Sequence, residues 1–227
     1  MLAFHEAMKA GADGFECDLR LTADGHLVVF HDDDLQRLCG CTGSIETMSL
    51  SEVQKLRVLK TEAVPTLDQL LNDFHTTRIN LEIKHSSRDA IVTEAVLRAL
   101  TKIRPTGEIL ISSFSPDVLK SLNTMDSQRK LGALGILVET SHLEDLPNLT
   151  DDLHPQTWNV PKQVLNQPWH LRWKDFKVPP LWVWTVDEPH QWQSILQSKL
   201  PFEAIITNKP DALHQFLSCF TGVHSPS

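Results

Sequence analysis

Arg78-Ile79-Asn80-Leu81-Glu82-Ile83-Lys84 opens the stretch that decides the fold. It reads as a strand, with Leu81 and Ile83 on one face and Glu82 and Lys84 on the other. Arg88 to Ile103 follows with apolar residues at helical spacing, and Ile109-Leu110-Ile111-Ser112-Ser113-Phe114 is again strand-like. Strand, helix and strand in one short span make a βαβ unit, which implies parallel pairing.

The same alternation continues in both directions. Downstream, Ser115-Pro116-Asp117 starts a helix with cap and proline in favoured places. Strands are expected at Leu131–Val138, Thr157–Val160, Leu181–Val186 and Ala204–Thr207. Helices are expected at Lys162–Asn166, Glu188–Ser198 and Asp211–Phe220. The rest of 139–180 carries little pattern. Upstream, Thr66 caps a helix that runs to Phe74. Residues 33–64 read as a small polar insertion, with one short helix at Ser49–Leu56. The chain opens with a helix ended by Gly11, then a strand at Gly14–Leu21, a turn at Ala23-Asp24-Gly25-His26 and a strand at Leu27–Phe30.

Seven strands could be parallel, at 14–19, 79–84, 109–114, 131–137, 157–160, 181–186 and 204–207. With a leading helix, that pattern implies a single α/β domain over 1–227, a TIM (β/α)8 barrel lacking its first strand. An open doubly wound sheet is the alternative. It gains no support from a glycine-rich nucleotide loop, since none follows any strand.

Composition narrows the partners. The 227 residues are 41% apolar and 22% charged, which suits a globular domain. The formal net charge of −8 is the opposite of a nucleic-acid footprint. No apolar run approaches the roughly 18–20 residues of a transmembrane segment. Cys17, Cys39, Cys41 and Cys219 lack zinc-ligand spacing and read as reduced, structural thiols. The start of the chain lacks a secretory pattern, so a cytoplasmic location is expected. Oligomeric state is not legible.

Two acidic groupings carry chemistry. Glu16 and Asp18 flank Cys17 at a strand end and share one face. Two adjacent carboxylates repel unless a cation lies between them. A two-residue loop at Asp24-Gly25 would place His31 opposite Asp18, as a candidate general acid or base. Glu82 and Lys84 form the second grouping, at the end where parallel barrels keep active sites. Three carboxylates, a lysine and a histidine there suit a hard cation and a phosphate.

Gly11-Ala12-Asp13-Gly14-Phe15-Glu16-Cys17-Asp18-Leu19, Thr22-Ala23-Asp24-Gly25 and Val28-Val29-Phe30-His31-Asp32 together resemble the glycerophosphodiester phosphodiesterase family. Later blocks match in order: Pro65-Thr66-Leu67, Leu81-Glu82-Ile83-Lys84, Ser112-Ser113-Phe114, Val183-Trp184-Thr185-Val186 and Ile206-Thr207-Asn208-Lys209-Pro210. The resemblance implies a metal-dependent barrel enzyme of lipid and glycerol metabolism. Such an enzyme hydrolyses small-molecule glycerophosphodiesters to glycerol 3-phosphate and an alcohol. It implies Glu16, Asp18 and Glu82 as ligands of one Mg²⁺ or Ca²⁺, His31 as an acid/base residue, and Lys84 and Trp184 as substrate-binding residues. Asn208 departs from the more usual aspartate at a position with no catalytic part.

The family pattern also begins with a strand ending in His-Arg-Gly, then Glu-Asn-Thr, and Met1-Leu2-Ala3-Phe4 matches the segment that follows. The expectation is therefore an N-terminally truncated chain. A catalytically inactive protein that binds metal and glycerophosphate is the alternative. A barrel isomerase or aldolase using Lys84 would leave the three carboxylates unexplained. The genomic sequence upstream of Met1 checks the expectation: an in-frame His-Arg-Gly followed by Glu-Asn-Thr supports truncation, and an earlier in-frame stop codon supports the inactive protein.

Overall fold

A computed structural model describes residues 1–126, 131–138, 146–166, 177–198 and 200–222. They form two compact units: Met1–Ala3 with Glu16–Leu134, and Phe4–Phe15 with Gly135–Ser227.

In the first unit, β1 (Gly14–Leu21, from Glu16 on), β2 (Leu27–Val29), β3 (Arg78–Ile83) and β4 (Ile109–Ser113) lie side by side in the order β2-β1-β3-β4. β3 and β4 are parallel, with Asn80 beside Leu110 and Glu82 beside Ser112. On the other face Ile79, Leu81 and Ile83 are buried under the helices. These helices are α4 (Leu67–Asp73), α5 (Asp89–Ile103) and α6 (Pro116–Met125), after the short α2 (Gln36–Cys39) and α3 (Leu50–Val53) of the insertion. The caps form where the sequence places them. Thr66 accepts from the Gln69 N–H while the Gln69 side chain accepts from the Thr66 N–H, and Ser115 accepts from the Val118 N–H. α5 buries Val92, Val96, Ala99 and Leu100 at helical spacing, which is why its amphipathic pattern was readable.

The hairpin register differs from the sequence expectation. Leu19 pairs with Val29 and Leu21 with Leu27, so the loop holds three residues between Thr22 and His26. Gly25 sits at φ +85°, the left-handed conformation that a three-residue hairpin loop needs at this point. The added residue moves every pair by one. Asp18 therefore lies opposite Phe30, whose N–H donates to the Asp18 carbonyl at 3.0 Å, and His31 is not its cross-strand partner.

The insertion builds a core of its own. Leu35, Ile45, Val53 and Val64 bury together with Val28 and Phe30, and Leu38, Leu50, Leu56 and Val58 pack around them. Asp24 ties the hairpin to it: its Oδ1 accepts from the Thr22 hydroxyl at 2.7 Å and from the Leu50 N–H at 2.9 Å.

In the second unit, β5 (Ala133–Leu137, from Gly135 on), β6 (Thr157–Pro161), β7 (Leu181–Trp184) and β8 (Phe202–Ile205) are parallel neighbours in that order. α7 (Leu146–Leu153) falls where the sequence pattern was weak, and residues 162–166 form a 3₁₀ turn. α8 (Pro189–Gln197) buries Trp192 against Phe216 of α9 (Pro210–Gly222), at 5.5 Å between ring centroids. From the leading helix α1 (Leu2–Lys9), Phe4 meets Phe15 at 4.5 Å. Asn208 donates twice to Asp187, through its amide at 3.0 Å and its backbone N–H at 2.8 Å. An aspartate at 208 would set two carboxylates together, so the departure from the family pattern suits its neighbour.

The Thr22 hydroxyl and, after it, the Leu50 N–H hold Asp24 down to about 2. A depressed carboxyl stabilises the fold while ionised, so this contribution is complete above the ordinary value near 3.9 and is lost as pH falls towards 2. Asp24→Ala should lower the urea midpoint at pH 7 and narrow its gap to wild type near pH 2.5. Equal gaps at the two pH values would contradict the assignment.

Candidate active site

β1 and β3 place the acidic groups. Alternation puts Glu16 and Asp18 on one face of β1, with Cys17 buried on the other. The same rule puts Asn80 and Glu82 on the matching face of β3. One carboxylate oxygen each from Glu16, Asp18 and Glu82 lies within 4.8 Å of the others. That spread fits across a hard cation, whose oxygen shell is about 4–5 Å wide.

Lys84 follows β3 and lies over this group. Its Nζ is 2.8 Å from Asp18 Oδ1 and 2.5 Å from Glu82 Oε1. One ammonium faces two carboxylates, and Glu16 is left out. Glu16 Oε1 is buried without a hydrogen-bond partner among the described residues. Burial first, then the charges of Asp18 and Glu82, raise the Glu16 carboxyl well above the usual range. Burial raises Glu82 too, while Lys84 and His31 pull it down. The two carboxylates hold the Lys84 ammonium above its ordinary value against the cost of burial. A buried carboxyl whose Oε1 has no partner fits a bound cation, which would favour its ionised form.

His31 lies just past β2, close enough for its charge to act on Glu82. Its Nδ1 is 2.7 Å from Asp32 Oδ1, and its carbonyl accepts from Arg20 Nη2 at 3.0 Å. Arg20, on the face of β1 that carries Glu16 and Asp18, also pairs with Asp33. Arg37 of α2 grips Asp32 with two hydrogen bonds of 2.7 Å. Arg88 donates to the Leu21 and Thr22 carbonyls at 3.2 and 3.1 Å, closing off the end of β1.

The structure thus gathers Glu16, Asp18, Glu82 and Lys84 in the first unit, with His31 near Glu82. Trp184 belongs to the second unit, where its indole N–H donates to the Asn159 carbonyl at 3.0 Å. Sequence reasoning missed Arg20, Asp32 and Arg37. Arg20 left a signal in its spacing of two from Asp18, and Asp32 in its place beside His31.

The model of the glycerophosphoryl diester phosphodiesterase family matches residues 1–212. The chain belongs to that family of phosphoric diester hydrolases. It is 30% identical over 226 residues to the glycerophosphodiester phosphodiesterase of Caldanaerobacter subterraneus subsp. tengcongensis, covering 93% of this chain and 88% of that one. A glycerophosphodiester phosphodiesterase structure from Thermotoga maritima matches with TM-score 0.73 and 26% identity, over 93% of this chain and 88% of that one. A phosphodiesterase from Oleispira antarctica, solved with its product sn-glycerol-3-phosphate, matches with TM-score 0.78 and 21% identity, over 95% of this chain and 89% of that one. The fold is the TIM-barrel α/β class of this family.

Glu16→Gln separates charge from packing. The amide keeps the shape and removes a carboxyl that is costly to bury in its ionised form, so the metal-free variant should melt above wild type at pH 7. It should also lose most of the upward shift that Mg²⁺ or Ca²⁺ gives wild type. Thermal melts with and without each ion check this. A variant that melts lower and keeps the full shift would contradict the assignment.

Proposed function

We propose that this chain hydrolyses a glycerophosphodiester to glycerol 3-phosphate and an alcohol, using one Mg²⁺ or Ca²⁺ held by Glu16, Asp18 and Glu82. The buried, unpartnered Glu16 oxygen inside a triad of carboxylates carries the proposal. A phosphodiester anion would be repelled by that triad, so the local sign of charge must be reversed before substrate can enter. Held by Glu16, Asp18 and Glu82, such an ion would supply that reversal and would stabilise charge on a phosphate oxygen.

The chain's own residues do the rest. Lys84, on a flexible stem, exchanges carboxylate for phosphate once the acidic groups are otherwise neutralised, and steadies a phosphate oxygen as a point charge. His31 moves a proton at Nε2, the ring nitrogen not engaged by Asp32. Support also comes from the family membership and from the relative solved with sn-glycerol-3-phosphate. Among the described residues no helix is long and apolar enough to cross a membrane.

Incubation with glycerophosphocholine and either ion should release glycerol 3-phosphate. His31→Ala should lower kcat by about 10²–10⁴, the usual size of an acid/base contribution, and leave the metal-induced melting shift intact. A near-wild-type kcat in this variant would remove His31 from proton transfer. A metal shift without any product would turn the proposal towards a binding protein.

A further inference from the structure

Asp32 is an acceptor only. Arg37, and after it His31, hold its carboxyl down to about 2, so it is ionised at neutral pH. The hydrogen at the 2.7 Å contact therefore sits on His31 Nδ1, and Nε2 is left as the bare nitrogen of the neutral ring. That geometry holds only while Asp32 keeps its rotamer. Arg37 supplies the restraint, donating from Nε to Oδ2 and from Nη2 to Oδ1, both at 2.7 Å. This is the two-pronged fork that a guanidinium makes with a carboxylate, and an ammonium cannot reproduce it.

The restraint reaches back into the insertion. Arg37 stands on α2, next to Leu38, which packs on the insertion core together with Cys39. The segment is pinned by Leu35 N–H to the Gly43 carbonyl at 3.1 Å and by Leu59 N–H to the Leu38 carbonyl at 2.8 Å. From the other side, buried Arg20 holds the His31 carbonyl and pairs with Asp33, fixing the backbone on which the ring is hung. His31 is close enough to Glu82 of β3 for a charge on its ring to act on that carboxyl. The Arg37 side chain is 66% exposed, and water screening on its side limits what its pairing with the more covered Asp32 adds to stability. Its geometry has a better account in orientation.

We propose that Arg37 is a positioning residue for the phosphodiesterase reaction. Through Asp32 it locks His31 in the Nδ1–H tautomer and aims Nε2 at the site, which gives the insertion a catalytic purpose. The proposal rests on His31 acting as the acid/base residue.

The test is imidazole ¹⁵N spectroscopy of the full chain, alongside steady-state kinetics on glycerophosphocholine with Mg²⁺ or Ca²⁺. Wild type should show His31 protonated at Nδ1 in its neutral form. Arg37→Ala should move part of that population to Nε2–H and lower kcat by about 10- to 100-fold, as loss of an orienting partner does. KM and the melting temperature should change little. Arg37→Lys, which keeps the charge and loses the fork, should recover only part of kcat. Asp32→Ala should show the fuller tautomer shift. Wild-type tautomer and kcat in Arg37→Ala would overturn the proposal, as would a kcat loss that only tracks a lower melting temperature. These results are distinct from failure of His31 as acid or base, which shows as retained kcat in His31→Ala whatever the tautomer.

Discussion

Mutual repulsion among Glu16, Asp18 and Glu82 is the constraint on which the site depends. Three carboxylates share a space 4.8 Å across, and one lysine cannot neutralise them. Lys84 bridges Asp18 and Glu82, while burial and both neighbouring charges push Glu16 towards its protonated form. The surrounding strands are well packed, with Leu81 and Ile83 fully covered on the opposite face of β3. The apolar layer therefore holds in place an arrangement whose charges work against it. Stability is given up locally to keep these charges together, as functional sites commonly require.

The two sides of β1 and β3 divide the labour. Alternation along each strand sends apolar residues to the helices and polar residues to the other face. On that face Asn80 accepts from the Ser112 hydroxyl at 2.8 Å, one step below Glu82. Lys84 follows Glu82 just past the end of the strand. The hairpin and insertion then wrap the end of β1, and three arginines do the fastening. Arg20 and Arg37 hold the His31–Asp33 segment, and Arg88 holds the carbonyls of Leu21 and Thr22. A net charge of −8 is the opposite of the basic surface that phosphate-rich partners need.

Much of this was legible in the sequence, for identifiable reasons. The strands flanking α5 show because alternation and helical spacing are strong local signals. Alternation puts Glu16 with Asp18 and Glu82 with Lys84. The meeting of the two groupings follows from where a parallel barrel keeps its active site, and their roles from the family resemblance. The hairpin register was not legible. Whether Ala23 joins the strand or the loop turns on one left-handed residue, Gly25, and both options satisfy the same apolar pattern. The insertion looked like a polar loop because its core residues, Leu35, Ile45, Val53 and Val64, are spread too far apart for any period. Helix α7 went unread because Leu146, Leu149 and Leu153 are the only apolar side chains to mark its face besides Pro147. Asp32 and Arg37 meet only once that insertion has folded, so no local pattern announces their pairing.

The central claim is that the three carboxylates take a cation and thereby free Lys84. Crystals soaked in Mn²⁺, examined by anomalous scattering at the manganese edge, test it most directly. The expected result is one strong peak among Glu16, Asp18 and Glu82, with Lys84 Nζ withdrawn from both carboxylates. Saturating Mn²⁺ that leaves no peak there, with Lys84 still bridging Asp18 and Glu82, would contradict the account.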